Sequence, residues 1–336
     1  MGMEMIGGLS AVLALIAIAW VGAGALGLHV LFGIILPYGA IAFFLGGFIY
    51  RLILWGSSPV PFHIPTVCGQ QRSLPWIKAD EVESPSSTRG VIARMALEVL
   101  LFRSLWRNDR TELKRHEKLL YSPRRYLWLF GLLFHWSLLV VLFRHLRLFT
   151  APVLPGIAAL QDLDGFFQLG NPSLYMSDLF IVMALVFLLT RRLSPQIRLI
   201  SLPQDYFSLF LLLAIVTSGI LMRHLFKTDV ERVKELCLAI VSLRPVSLKG
   251  LGSFFYIHFF LVSVLFAYFP FSKLMHAPGV FLSPTRNLRN DSRARRHVNP
   301  WNYPVKVHTY KEYEDEFREA MEGAGLPVEK EGKPNG

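Results

Sequence analysis

From Met5 to Tyr50 the chain carries no Asp, Glu, Lys or Arg, and Glu4 is its only such residue before Arg51. A single straight helix over residues 5–55 would be about 75 Å long at 1.5 Å per residue, more than twice a hydrocarbon layer of about 30 Å. The segment must therefore turn, and Gly22, Gly24 and Gly27 mark where, giving a two-helix transmembrane hairpin over 1–55. The Gly22-x-Gly24-x-x-Gly27 spacing matches a dinucleotide fingerprint, but it lies inside an apolar run rather than after a strand, so it reads as close helix packing or a turn. A secretory signal is the weaker reading of the first helix, because the cationic segment that orients such peptides is missing.

Four more apolar runs follow, at about 124–147, 174–190, 203–223 and 251–273, each near bilayer-spanning length. The expected fold is all-α: a polytopic bundle of six transmembrane helices. With 53% hydrophobic and 18% charged residues, the composition agrees. Three further regions complete the organisation: a cytoplasmic loop over 56–123, a four-helix region over 124–276 and a cytoplasmic tail over 277–336. If both termini are cytoplasmic, 27 of the 35 Lys and Arg fall inside and 8 outside. That asymmetry follows the positive-inside rule and predicts a multi-pass protein of the cell membrane. It also accounts for the net charge of +11 without nucleic acid, since the basic residues flank helix ends.

In the loop, residues 57–65 read as a proline-stiffened connector with a solvated His63, and 88–118 read as an amphipathic interfacial helix. Arg94, Glu98, Arg103 and Arg107 form its polar stripe, opposite Ile92, Met95, Val99, Leu100 and Trp106. Residues 228–243 are a similar candidate on the other side, with Val230, Val233, Leu236, Ile240 and Val241 on its apolar face. The tail runs from a basic stretch (Arg286, Arg289, Arg293, Arg295, Arg296) through 299–304 to an acidic helical stretch around Glu312–Glu322. It reads equally as a solvated tail or as a strap for a cytoplasmic subunit, and Glu329–Gly336 is expected to be disordered. Cys68 and Cys237 cannot supply the thiolates of an iron–sulfur cluster, so any cluster must sit on a partner.

Four histidines carry the chemistry. His135 and His145 are about 15 Å apart along a helix and about 80° apart around it; His258 and His276 are about 27 Å apart on one face. Since the two helices run in opposite senses, His145 pairs with His258 near the outer surface and His135 with His276 near the cytoplasm. Neutral imidazoles on facing helices are standard axial ligands for haem iron. The two spans differ by about 12 Å if both helices are straight, so one must bend, and Pro270 is the place for it.

The stretches Phe134–His145, Arg191–Arg198 and Phe269–His276 resemble those of the respiratory nitrate reductase gamma subunit family, over roughly residues 30–285. That resemblance implies a cytochrome b with two b haems held by His135 and His276 on the cytoplasmic side and by His145 and His258 on the outer side. The extra first helix, the long 56–123 loop and the tail depart from that family and are similar to the DsrM-type cytochrome b subunits of DsrMKJOP complexes. This second resemblance implies a menaquinone-linked electron carrier whose cytoplasmic partner is a DsrK-like iron–sulfur subunit of the heterodisulfide-reductase kind, in dissimilatory sulfur metabolism. The gamma subunit of another quinol-linked reductase, for nitrate or heterodisulfide, is the alternative.

Nitrate reductase gamma subunits use a lysine near the outer haem for quinol, whereas residues 148–190 here contain neither lysine nor arginine. The quinone candidates are instead His224, Arg223 and Asp178, with Asp162 and Asp164 nearby. Arg144, Arg147 and Lys273 flank the histidines and suit anionic haem propionates, or else snorkel to lipid headgroups. A haem-free proton-coupled transporter is the rival class, but acidic residues are nearly absent from the helices and no inverted repeat is visible.

Overall fold

The computed structural model describes residues 2–58, 76, 78–114, 118–166, 172–291 and 307–329. His63, Cys68, Arg293, Arg295, Arg296, residues 299–304 and the last seven residues lie outside them.

Helix α1 (Met3–Ala19) runs on through a wide turn to Ala25, and the chain reverses at Gly27, whose φ of +64° suits glycine. A second wide turn, Leu31–Ile35, leads into α2 (Leu36–Gly56). A Cβ on Gly22 would clash with the Phe32 ring, so this glycine lets the two arms close. The glycines thus serve the turn and packing expected of them.

Among the described residues, five helices are long and apolar enough to cross a membrane: Met3–Ala25, Leu31–Gly56, Arg125–Leu148, Pro203–His224 and Ser253–Phe271. They contain α1, α2, α5 (Arg125–His145), α9 (Pro203–His224) and α11 (Ser253–Tyr268). The expected sixth, α7 (Met176–Arg192), has 17 residues, and it packs between α5 and α9. Two apolar clusters meet at α9. Leu211 belongs to the one shared with Val12, Phe32, Leu236, Tyr256 and Leu261, and adjacent Leu212 to the one shared with Phe134, Ile181 and Leu185. Adjacent residues on a helix point about 100° apart, so α9 is the spine joining both halves. Ile18, Phe43, Ile53 and Leu142 are exposed, as lipid-facing positions of a membrane protein would be.

One end of the bundle carries α6 (Pro155–Asp164) and α10 (Val230–Ser242). Asp229 caps α10 by accepting from Glu231 N and Arg232 N, and Tyr38 Oη donates to Ile240 O at 2.9 Å, tying α10 to α2. Leu236, Cys237 and Ile240 are buried, but Val230 and Val241 of the expected apolar face are exposed, so the buried strip is narrower than expected.

The other end carries the long loop and the tail, and here a two-stranded hairpin is added to the otherwise helical bundle, in place of part of the expected 88–118 helix. The expected 88–118 helix is α3 (Thr88–Leu101), a left-handed break at Phe102 (φ +50°) and α4 (Arg103–Trp106). The chain then enters an antiparallel hairpin of β1 (Asp109–Lys114) and β2 (Lys118–Pro123). Short apolar runs do not separate strand from helix by periodicity, and Asn108 and Pro123 bracket the pair as breakers. Arg94 is buried whereas Ile92, Val99 and Leu100 are exposed, so α3 turns its polar stripe to the protein. Glu83 accepts from Arg103 and Arg107, Glu98 accepts from Arg286 and Ser104, and Asn290 N donates to Pro85 O at 2.7 Å. Loop and tail therefore form one polar platform. Beyond it, α13 (Tyr310–Gly323) is capped reciprocally by Thr309 and Glu312.

The expected bend at Pro270 is present and larger than a kink. Helix α11 ends at Tyr268, Phe269–Phe271 form a tight turn, Ser272 is extended, and α12 (His276–Gly279) follows Lys273–Met275. His258 and His276 thus belong to different helices.

Candidate functional site

Each of the four histidines is held at the same ring nitrogen by a main-chain carbonyl. On α5, His135 Nδ1 lies 2.8 Å from Gly131 O and His145 Nδ1 lies 2.7 Å from Val141 O. His276 Nδ1 lies 2.8 Å from Lys273 O. His258 Nδ1 lies 3.1 Å from Ile215 O on α9 and 2.9 Å from Ser218 Oγ, which itself donates to Ile215 O. A carbonyl only accepts, so Nδ1 carries the proton in all four, leaving the Nε2 lone pair to point away from its own support. That is the arrangement by which a protein orients a metal-binding imidazole and fixes its tautomer.

Two of the four meet directly. The rings of His135 and His276 have centroids 5.8 Å apart with planes at 85°. Two metal–imidazole bonds of about 2 Å each need nitrogens about 4 Å apart, a separation compatible with these centroids. His145 and His258 lie within electrostatic reach of one another. Between the pairs, α5 and α11 lack the close main-chain packing that α5 makes with α7 and that α11 makes with α2 and α9. Facing helices held apart, with imidazoles on both, fit a flat macrocycle. No group of three or more His, Cys, Asp or Glu among the described residues could hold a bare ion, so pairs are what these residues offer.

Ordered neighbours fix the rings. Phe102 and Phe134 present edges to His135 at 4.9 and 5.0 Å, and the left-handed backbone at Phe102 aims its ring there. Trp128 Nε1 and Trp136 Nε1 donate to Leu101 O and Leu100 O, fastening α3 to α5 beside that pair. At the other pair a Cβ on Gly219 would stand 3.3 Å from His258 Cε1, so glycine leaves room for the ring. Gly131, Ser218 and Gly219 escaped sequence reasoning. A Ser-Gly step inside an otherwise bulky apolar helix is the signal that would have pointed to the last two.

The flanking charges are largely spent on one another. Arg144 is buried, with Nη2 2.8 Å from Asp178 Oδ1 and Nε 3.1 Å from Asp164 Oδ2. Asp164 also accepts from Ser177 N and Oγ. Arg144 and Arg223 both stack against the Tyr175 ring, at 3.7 and 4.1 Å, and Arg223 Nε donates to Ser173 O. Arg147 donates to Gln161, and Lys273 Nζ lies 2.8 Å from the buried Asp205 Oδ1. Asp178 is therefore held by Arg144, whereas His224 Nε2, at the end of α9, is buried without a hydrogen-bond partner among the described residues. Asp162 lies on α6 beside this network.

Residues 90–296 match the family described as nitrate reductase gamma subunit, a segment containing all four histidines. Two curated proteins described as Hdr-like menaquinol oxidoreductase cytochrome b-like subunit are also similar. The one from Archaeoglobus fulgidus is 49% identical over 280 residues, covering 81% of this chain and 83% of the relative. The one from Archaeoglobus profundus is 44% identical over 274 residues, covering 79% and 81%.

Proposed function

This chain belongs to the nitrate reductase gamma subunit family, and we propose that it is a membrane dihaem cytochrome b that passes electrons between menaquinol and an iron–sulfur subunit on the cytoplasmic face. The observation that carries this reading is the common anchoring of the four histidines, each with Nδ1 held by a carbonyl and Nε2 without a hydrogen bond among the described residues. The likeness to the Hdr-like menaquinol oxidoreductase subunits supports the quinol and the membership of a complex.

In this reading α7 crosses as the sixth span, its 17 residues covering about 26 Å. The platform end is taken as cytoplasmic and the α6/α10 end as outward, in line with the positive-inside asymmetry. Haem supplies one-electron carriage at two points along the bundle. The protein residues do the rest. His135 and His276 would hold the cytoplasmic-side haem, His145 and His258 the outer one, and Ser218 fixes the His258 ring. Menaquinol releases two electrons and two protons on becoming menaquinone. His224 Nε2 would accept one of these protons and the other would leave to the outer water, with Arg223 as a neighbouring cation. The Arg144–Asp178–Asp164 network keeps the end of α5 fixed beside it.

The departures noted in the sequence favour a DsrM-type subunit with a DsrK-like partner, and hence a role in sulfur metabolism. The test is anaerobic addition of a soluble menaquinol analogue to the purified complex. Haem reduction should follow within turnover time and slow markedly in His224→Leu; haem that dithionite reduces but quinol never does would refute the quinol assignment.

A further inference from the structure

Arg51, near the end of α2, is a membrane-helix arginine with no carboxylate partner among the described residues. Its Nε is buried without a hydrogen-bond partner among the described residues, and its guanidinium lies 5.1 Å over the Trp55 ring. It lines a cavity of about 490 Å³ with Trp55, Ser272, Lys273 and His276. Of the two cations there, Lys273 is already matched by Asp205 at 2.8 Å. Arg51 is the unmatched one, and an unpaired cation at membrane depth is costly unless an anion joins it. The cavity wall includes His276, so an anion held by Arg51 would sit beside the His135–His276 pair. Arg51 and Trp55 both lie before residue 90, outside the segment that matches the family.

We propose that Arg51 is a positioning residue for the haem held by His135 and His276, binding one of its carboxylates, and that the N-terminal hairpin thereby sets that haem's potential. The proposal rests on the dihaem reading. Its chemistry is capture of a carboxylate or phosphate by a guanidinium, and a lipid phosphate is the competing source. A cation beside haem favours the reduced, more electron-rich state, so its loss lowers the potential.

Optical redox titration of the full chain in its native complex tests this, with wild type, Arg51→Gln and Arg51→Lys compared. Gln should lower the reduction equilibrium constant of one haem, the same one that a His276 variant removes, by about tenfold, which is about 59 mV for one electron. The other haem should not move. Lys keeps the charge but loses the two-pronged contact, so a shift of about threefold on the same haem is expected; if Gln fails to accumulate, Lys carries the test. Unchanged potentials in both variants would overturn the proposal, and loss of a bound anionic lipid from Arg51→Gln in native mass spectra would assign Arg51 to lipid instead. Equal shifts of both haems would also overturn it. A wild-type chain without haem would instead refute the functional reading beneath it.

Discussion

His135 and His276 meet with ring centroids 5.8 Å apart although one sits mid-helix on α5 and the other opens a four-residue helix beyond the end of α11. The meeting depends on the chain leaving helical geometry between Phe269 and Met275, where Pro270 has no N–H to offer the preceding turn. A continuous α11 would have carried His276 about 27 Å from His258 along one axis.

Replacing either member of this pair should cost one haem and leave the other. His135→Leu and His276→Leu are expected to halve the haem content while His145 and His258 still hold theirs. Pyridine haemochrome quantification against protein concentration checks this; loss of both haems in correctly inserted protein, or of neither, would contradict the pairing.

Gly219 is expected to resist enlargement. A Val there would press on His258 from a Cβ already 3.3 Å from Cε1, an overpacking that costs about 1–3 kcal/mol where the helix cannot yield. The outer haem should be lost or turn high-spin in Gly219→Val, read by the Soret and alpha bands. Ser218→Ala, which keeps the Ile215 carbonyl as acceptor, should retain it with altered potential.

Arg144→Met leaves Asp164 and Asp178 without their guanidinium in a buried setting. Breaking a buried pair from one side costs about 3–5 kcal/mol, so thermal unfolding of the complex should begin well below wild type. The double replacement Arg144→Met with Asp178→Asn should recover part of that loss, and a thermal melt of detergent-purified protein measures both.

Cys237, on α10, gives a pH-dependent readout. Burial pushes its thiol up to about 11, so at pH 8 only about one thiol in a thousand is thiolate. Alkylation of native protein should be slow at pH 8 and rise about tenfold per pH unit toward pH 11; denatured protein should react at the rate of an ordinary thiol. Fast native labelling at pH 8 would show that α10 opens or is packed differently.

Much of this was legible because a bilayer restricts backbone choices so severely. Uncharged runs gave the long helices, Gly27 gave the turn, and the 12 Å mismatch pointed to Pro270. The hairpin over 109–123 was not legible, since Leu113, Leu119 and Leu120 are too few to distinguish periods of 2 and 3.6. Arg51 was hidden because its significance lies in a missing partner, which only three-dimensional neighbours reveal. The His258 anchor was hidden for a related reason: its acceptor, Ile215 O, comes from another helix, whereas His135 and His145 use carbonyls four residues back on their own. Arg144, Asp164 and Asp178 were visible singly, but their mutual pairing reassigns charges that sequence alone directs to propionates or quinone.

On the proposed reading, the four histidines hold two haems. A dithionite-reduced minus oxidised spectrum of the purified chain, with haem quantified per polypeptide, tests it most directly. Two low-spin b haems per chain, with sharp alpha and Soret bands, is the predicted result; a colourless, correctly folded preparation from haem-replete cells would contradict it.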